Sequence, residues 1–254
     1  MTGSSQSNSA VQWNGGSSDQ ASGERTPRDR WLQATIEELK PGDADEASRW
    51  LHRYEALYAL VYGDAVRVPW HRAGPSRSMV EWLNEHGSCH VRPGASAVVV
   101  GCGLGDDVVE LAGRGFEASG FDGSSSAVAW AHSRNPTHVE RIVQADLFTS
   151  PITRRADLVV EIDTLSALPR ALWPAAVERI CEWSRPRGTV LLIERAKQPE
   201  STLEVPPFGM DADELRGLME ARGWSATGAI ESLACDCAAA EGGTHEWRAA
   251  FRRS

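Results

Sequence analysis

The most constraining stretch of this 254-residue chain is residues 98–124, VVVGCGLGDDVVELAGRGFEASGFDGS. An apolar run meets a glycine-rich turn, a helical pattern follows, and a second apolar run ends in Asp122. Glycine adopts backbone angles that other residues avoid, and it lets a ligand come close to the main chain. Asp122 stands 21 residues after Gly101, at the end of the next strand, where a carboxylate can accept both hydroxyls of a ribose. Strand, turn, helix, strand and terminal Asp together point to a parallel, doubly wound sheet that holds a nucleoside.

The rest of the chain continues that alternation. Strands are expected at Ala95–Val100, Glu117–Phe121, Val139–Val143, Asp157–Ile162 and Thr189–Ile193, with helices at Asp106–Arg114, Ser124–Ser133, Leu172–Trp183 and Asp211–Arg222. Strands that alternate with helices build a parallel sheet covered on both faces. Ser225–Leu233 and Glu246–Arg252 follow with no helix between them, so they form an antiparallel hairpin. The expected fold is a Rossmann-like, seven-stranded α/β sheet, mostly parallel, with one antiparallel strand near the C-terminal edge.

Ahead of the sheet, the period from Trp31 to His86 is helical. The run PGDADEASRWLHRYEALYALVYG predicts a long helix, with Asp43 or Asp45 to cap it and Gly63 to end it. Trp50, Tyr54, Tyr58 and Tyr62 recur every fourth residue and share one slowly drifting face. That face either packs on the core or closes over a ligand. Pro69 and Pro75 bracket Trp70 in VPWHRAGPS, and a short helix follows from Ser76 to His86. Residues 1–29 are rich in Ser, Gly, Asn and Gln and read as a disordered tail. The expected division is tail 1–29, helical lid 30–92 and nucleoside-binding core 93–254.

The formal net charge of -9 repels phosphate backbones and argues against a nucleic-acid partner. Five cysteines without framework spacing argue for a reducing compartment, so the expected location is the cytoplasm. No apolar run reaches membrane length. Cys235-x-Cys237 has no second ligand pair of zinc-site spacing, so no metal is expected. The expected partner is a small molecule, and nothing in the sequence sets an oligomeric state.

Dinucleotide sites usually carry GxGxxG, whereas here Gly101, Gly103 and Gly105 are followed by Asp106 and Asp107. Two carboxylates would oppose a pyrophosphate at the helix start. A ligand bearing an ammonium and a sulfonium tolerates them, which favours S-adenosylmethionine over NAD(P). An NAD(P)-type enzyme and a catalytically silent S-adenosylmethionine-binding module remain the alternatives. VVVGCGLGDD, GFDGS, VQADLF and ADLVVEIDTLSALP, in that order, resemble the motifs of class I S-adenosylmethionine-dependent methyltransferases. PWHRAGPS and TLSALPRALWPAAVERI resemble more closely the group containing thiopurine, thiol and halide methyltransferases.

The resemblance implies methyl transfer to a small molecule, with sulfur or nitrogen ahead of oxygen as acceptor atom. It implies that Gly101, Cys102 and Gly103 line the methionine and ribose portion and that Gly123 passes beside the adenine. Asp146 would accept from the adenine amino group, with the Leu147 backbone against the ring. Glu161 and Ile162 would flank the sulfonium, and Trp70 would close over the cofactor. One departure is Val99, where many members carry an acidic residue two before the first glycine; Asp106 or Glu161 would then supply the negative charge. The candidate catalytic groups are Glu161, Asp163 and His71, and the candidate substrate contacts are Tyr54, Tyr58, Tyr62 and Glu194. Methyl transfer needs a base only when the acceptor loses a proton at attack.

Overall fold

The computed structural model describes residues 45–68, 70–92, 94–197, 206–236 and 244–253. The expected tail 1–29, the alternative cap Asp43 and Cys237 lie outside the described residues.

Among the described residues, eight strands form one sheet. They are β1 (Ser96–Val100), β2 (Glu117–Asp122), β3 (Ile142–Gln144), β4 (Ala156–Ile162), β5 (Ser184–Arg195), β6 (Trp224–Ala226), β7 (Glu231–Ala234) and β8 (His245–Arg253). The order is β3-β2-β1-β4-β5-β8-β6, with β7 also on β8. The pairs from β3 to β5 are parallel, and β8 runs antiparallel to β5, β6 and β7. Among the described residues β8 is thus the one reversed strand, as the helix-free connection requires.

Strand periodicity explains why both faces are buried. Val98, Val100, Val159, Val190 and Leu192 join one core cluster. Ala97, Val99, Leu158, Val160, Leu191 and Ile193 join the other. Near-continuous apolar strands are what a sheet covered twice demands. Helices α1 (Glu46–Leu60), α5 (Trp173–Glu182) and α6 (Ala212–Glu220) send side chains into the first cluster. Helices α2 (Arg77–His90), α3 (Asp106–Gly113) and α4 (Ser125–Arg134) send theirs into the second.

The helix starts follow capping chemistry. Asp45 accepts from Ser48 N at 3.0 Å, and Ser124 accepts from Ala127 N at 3.0 Å. Ser76 caps α2, and Asp211 with Glu214 closes a capping box on α6.

Three expectations change. Residues 225–233 are not one strand: Thr227 turns its N–H and Oγ1 onto Ala250 O at 2.8 and 3.1 Å, and the strand breaks into β6 and β7. Among the described residues the sheet therefore has eight strands, not seven. Residues 136–141 form a 3₁₀ turn led by Pro136, so β3 starts only at Ile142. The stretch expected as one lid divides, because α2 packs Met79, Trp82 and Leu83 onto the sheet, while Leu51, Tyr54 and Tyr58 of α1 line a cleft with the strand-end residues Val100, Asp122 and Ile162. Among the described residues no helix is long and apolar enough to cross a membrane.

Candidate functional site

The C-terminal ends of β1, β2 and β4 carry the site, where open α/β sheets bind ligands. After β1, Gly101, Gly103 and Gly105 have φ of 61°, 50° and 83°. These left-handed values explain the glycines. A side chain at Gly101 would overlap Thr164, whose Oγ1 donates to Val100 O at 3.1 Å and ties the β4 turn to β1.

Asp122 braces two turns. Its Oδ2 accepts from Gly103 N and its Oδ1 from Ser124 N, both at 2.9 Å. Burial pushes its pKa up, against the two backbone bonds. Each oxygen keeps a lone pair, so the carboxylate can still meet two hydroxyls. Asp146 is held similarly: its Oδ1 accepts from Phe148 N and Thr149 N at 2.7 and 2.9 Å. Its Oδ2 takes no bond from the described residues.

Two clefts open over this end of the sheet. The first, about 950 Å³, runs past Asp122, Gly123, Asp146, Leu147 and Phe148 to Ala167, Leu168, Pro206 and Pro207, beneath Ala47, Leu51 and Tyr54 of α1. The second, about 600 Å³, lies over the glycine turn between His71, Arg72, Cys102, Asp106 and Asp107. Their common wall is Tyr58, Trp70, Val100, Gly101, Ile162 and Asp163.

Helix α1 is fastened over the first cleft by Glu55. That carboxylate accepts from Ser124 Oγ at 2.7 Å, Ser125 Oγ at 3.0 Å, and Ser126 N and Oγ at 3.0 and 2.6 Å. It thus sits on the positive end of α4. Burial works against its charge, but hydrogen bonds from Ser126, Ser124 and Ser125 outweigh it and bring its pKa down to about 2. Trp70 Nε1 donates to Tyr58 Oη at 2.9 Å, and Tyr54 Oη donates to Ala167 O at 2.7 Å. Burial pushes both phenols up, so neither titrates near neutrality. The tyrosine stripe therefore divides. Tyr54 and Tyr58 line the first cleft, whereas Tyr62 is half exposed against Trp130 and lines neither cleft.

The acidic candidates divide as well. Glu161 and Glu194 are fully buried and absent from both linings. Alternation along β4 puts Glu161 on the face of Val159, beneath the turn after Ile162. There its Oε1 accepts from Thr164 N and Leu165 N at 2.6 and 3.1 Å. Glu194 accepts from Leu165 N at 3.3 Å and from Ser166 N at 3.0 Å. Burial pushes both carboxyls up, and the charge of Glu161 pushes Glu194 further. These two brace the turn from behind the wall, not from within the cleft. Asp163 alone of the three catalytic candidates borders the first cleft. His71 borders the second, and burial, followed by the charge of Arg134, lowers its pKa.

Cys102 lies in the second cleft with its thiol pushed up by burial, which suits a small turn residue and not a nucleophile. Asp106 is paired with Arg134 at 2.8 Å. Asp107 accepts from Ser76 N at 2.7 Å, and burial pushes its pKa up to about 6.

Sequence reading missed Arg72. From the loop after Trp70 its side chain reaches Asp163 at 3.0 Å, Asp236 at 2.7 Å and Glu246 at 3.2 Å. The only signal was its place in PWHRAGPS.

Gly101, Asp122 and Asp146 thus line the first cleft, and the stretch from Gly101 to Asp107 lines the second, which continues from it. The fold is that of a class I S-adenosylmethionine-dependent methyltransferase.

The thiopurine S-methyltransferase family model matches residues 64–234, and the chain belongs to that family. A thiopurine S-methyltransferase of Vibrio campbellii is 27% identical over 135 residues, covering 47% of this chain and 62% of that protein. One of Vibrio parahaemolyticus is 26% identical over 187 residues, covering 67% and 78%. The magnesium protoporphyrin IX methyltransferase of Synechocystis, solved with S-adenosylmethionine bound, shares the fold with a TM-score of 0.60 at 16% identity, covering 84% of this chain and 100% of that one.

Proposed function

We propose that this protein transfers the methyl group of S-adenosylmethionine to a small, largely apolar acceptor, at a sulfur atom ahead of nitrogen or oxygen. The observation that carries the reading is the composition of the first cleft. Among the described residues its charged lining is Asp122, Asp146 and Asp163, and beyond these it is walled by Ala47, Leu51, Tyr54, Leu168, Pro206 and Pro207. Such a chamber takes a flat apolar molecule beside the nucleoside.

Bound S-adenosylmethionine supplies a methyl group already activated on a sulfonium. The chain has then to orient two ligands and exclude water, and orientation alone can supply most of the acceleration. Asp122 and Asp146 fix the nucleoside end. Trp70 and Tyr58, locked by their mutual hydrogen bond, close the side wall. Tyr54, pinned on Ala167 O, gives the acceptor a rigid ring face. A thiol or amine is nucleophilic enough to need no strong base, consistent with His71 standing in the second cleft and Glu161 and Glu194 behind the wall. The same reading keeps the expectation of a reducing cytoplasm, which rests on five cysteines without framework spacing.

The test is mass spectrometry of products after incubation with methyl-labelled S-adenosylmethionine and a panel of aromatic thiols, amines and phenols. Label in an aromatic thiol is the expected result. Donor binding without transfer to any acceptor would favour the catalytically silent module.

A further inference from the structure

Asp163 occupies an unusual position. It borders both clefts yet is only 8% exposed. Its φ is +57°, in the left-handed region that few residues other than glycine, asparagine and aspartate adopt. The surroundings over-determine that conformation: Asp163 N donates to Ile193 O, and Asp163 O accepts from Ala167 N, both at 2.9 Å. An uncommon backbone angle held at a ligand site is a reason to ask what the side chain does.

The carboxylate is bound on one side only. Oδ2 meets Arg72 at 3.0 Å and Arg195 at 3.6 Å. Oδ1 is buried and has no donor among the described residues. Nor is the Arg72 charge devoted to it, because Asp236 and Glu246 draw on the same guanidinium. Among the described residues, the three carboxylates Asp163, Asp236 and Glu246 thus share the two guanidiniums of Arg72 and Arg195, in a buried setting where charges are weakly screened.

A molecule with its nucleoside in the first cleft and its amino-acid tail in the second must pass its sulfur through the common wall. A sulfonium carries no N–H or O–H, so no hydrogen bond of its own can hold it. It responds to charge and to aromatic faces, and the wall offers Asp163 together with Trp70 and Tyr58.

We propose that Asp163 makes this junction a charge-selective subsite, which favours the cationic methyl donor over its neutral thioether product. Resting on the function proposed above, this assigns Asp163 to the cofactor sulfur instead of to the acceptor's proton. Loss of the methyl group then removes the charge that the subsite holds, and S-adenosylhomocysteine is released more readily.

The test is calorimetric and needs no turnover. Parent and Asp163→Asn are titrated with S-adenosylmethionine, with sinefungin (an ammonium in place of the sulfonium) and with S-adenosylhomocysteine. Asparagine suits the left-handed backbone. Removing a unit charge a few ångströms away should weaken both cations about tenfold or more. The thioether should change less than about twofold, by the same arithmetic. Equal weakening of all three would assign Asp163 to the ammonium they share and overturn the proposal, as would no weakening. If the parent binds none of them, the methyltransferase reading itself fails, which is a different result.

Asp236→Asn is the second variant. It leaves the wall intact and frees Arg72 toward Asp163, so the preference for cations should fall by about twofold. Where Asp163→Asn does not fold, an unchanged preference in Asp236→Asn overturns the proposal.

Discussion

Replacing Asp122 with alanine should cost both stability and affinity, because the carboxylate has two tasks. In the protein without cofactor it joins the turn after β1 to the turn after β2, through Gly103 N and Ser124 N at 2.9 Å each. A hydrogen bond to a charged group is worth about 1.5–3 kcal/mol. Burial of the carboxylate, visible in its raised pKa, offsets part of that. The net loss should be about 2–4 kcal/mol, since two partly buried N–H groups also lose their acceptor. For a chain of this size that lowers the melting temperature by roughly 5–15 °C. Affinity for S-adenosylhomocysteine should fall at least tenfold, from the loss of two charge-assisted contacts to ribose. Asp122→Asn keeps one acceptor and should lose less of each. Thermal melts by circular dichroism and calorimetry below the transition read both quantities. A melting temperature within a degree or two of the parent would refute the bracing role, and an unchanged dissociation constant would refute the ribose role.

Tyr58→Phe removes the acceptor of Trp70 Nε1, leaving a partly buried N–H unpaired at a cost of about 1–3 kcal/mol, and should impair turnover; Tyr62→Phe should match the parent in melting temperature and turnover. Asp107, raised by burial to about 6, makes the folded state bind more protons than the unfolded between about pH 4 and pH 6. Its contribution to stability thus declines as pH rises through that window, and Asp107→Asn should flatten the melting-temperature profile there. Glu55 has the opposite sign: with its pKa near 2, its contribution is full above about pH 4.5 and is lost as pH falls toward 2. The melting-temperature gap between parent and Glu55→Gln should accordingly be constant near neutrality and close in acid.

The parts of this molecule legible in its sequence are those set by neighbours along the chain. The unit from β1 to Asp122 follows from apolar runs, glycines that need left-handed angles, and a strand-end carboxylate. Asp45, Ser76, Ser124 and Asp211 are caps for the same local reason. What escaped depends on contacts between distant segments. The break between β6 and β7 is set by Thr227 reaching Ala250. Glu161 and Glu194 sit at strand ends, as ligand-binding residues do, yet the register Glu161↔Leu192 and the shared face of β4 and β5 send both under the turn that follows. Arg72 looked like any loop arginine, since its partners lie 91, 164 and 174 residues away. The spacing of four puts Tyr54 and Tyr58 on one face of α1, where they meet the cleft, but the helix ends at Leu60, so Tyr62 lies in the turn that follows and meets Trp130 and solvent.

The central claim is that one donor molecule spans both clefts, and a crystal structure of the complex with S-adenosylhomocysteine tests it most directly. The account predicts the adenine beside Asp146 and Leu147, both ribose hydroxyls on Asp122, the sulfur at the wall of Trp70 and Asp163, and the amino-acid tail over Gly101 to Gly103. A nucleoside bound away from Asp122, or a tail directed toward Pro206 and Pro207 instead of the glycine turn, would contradict it.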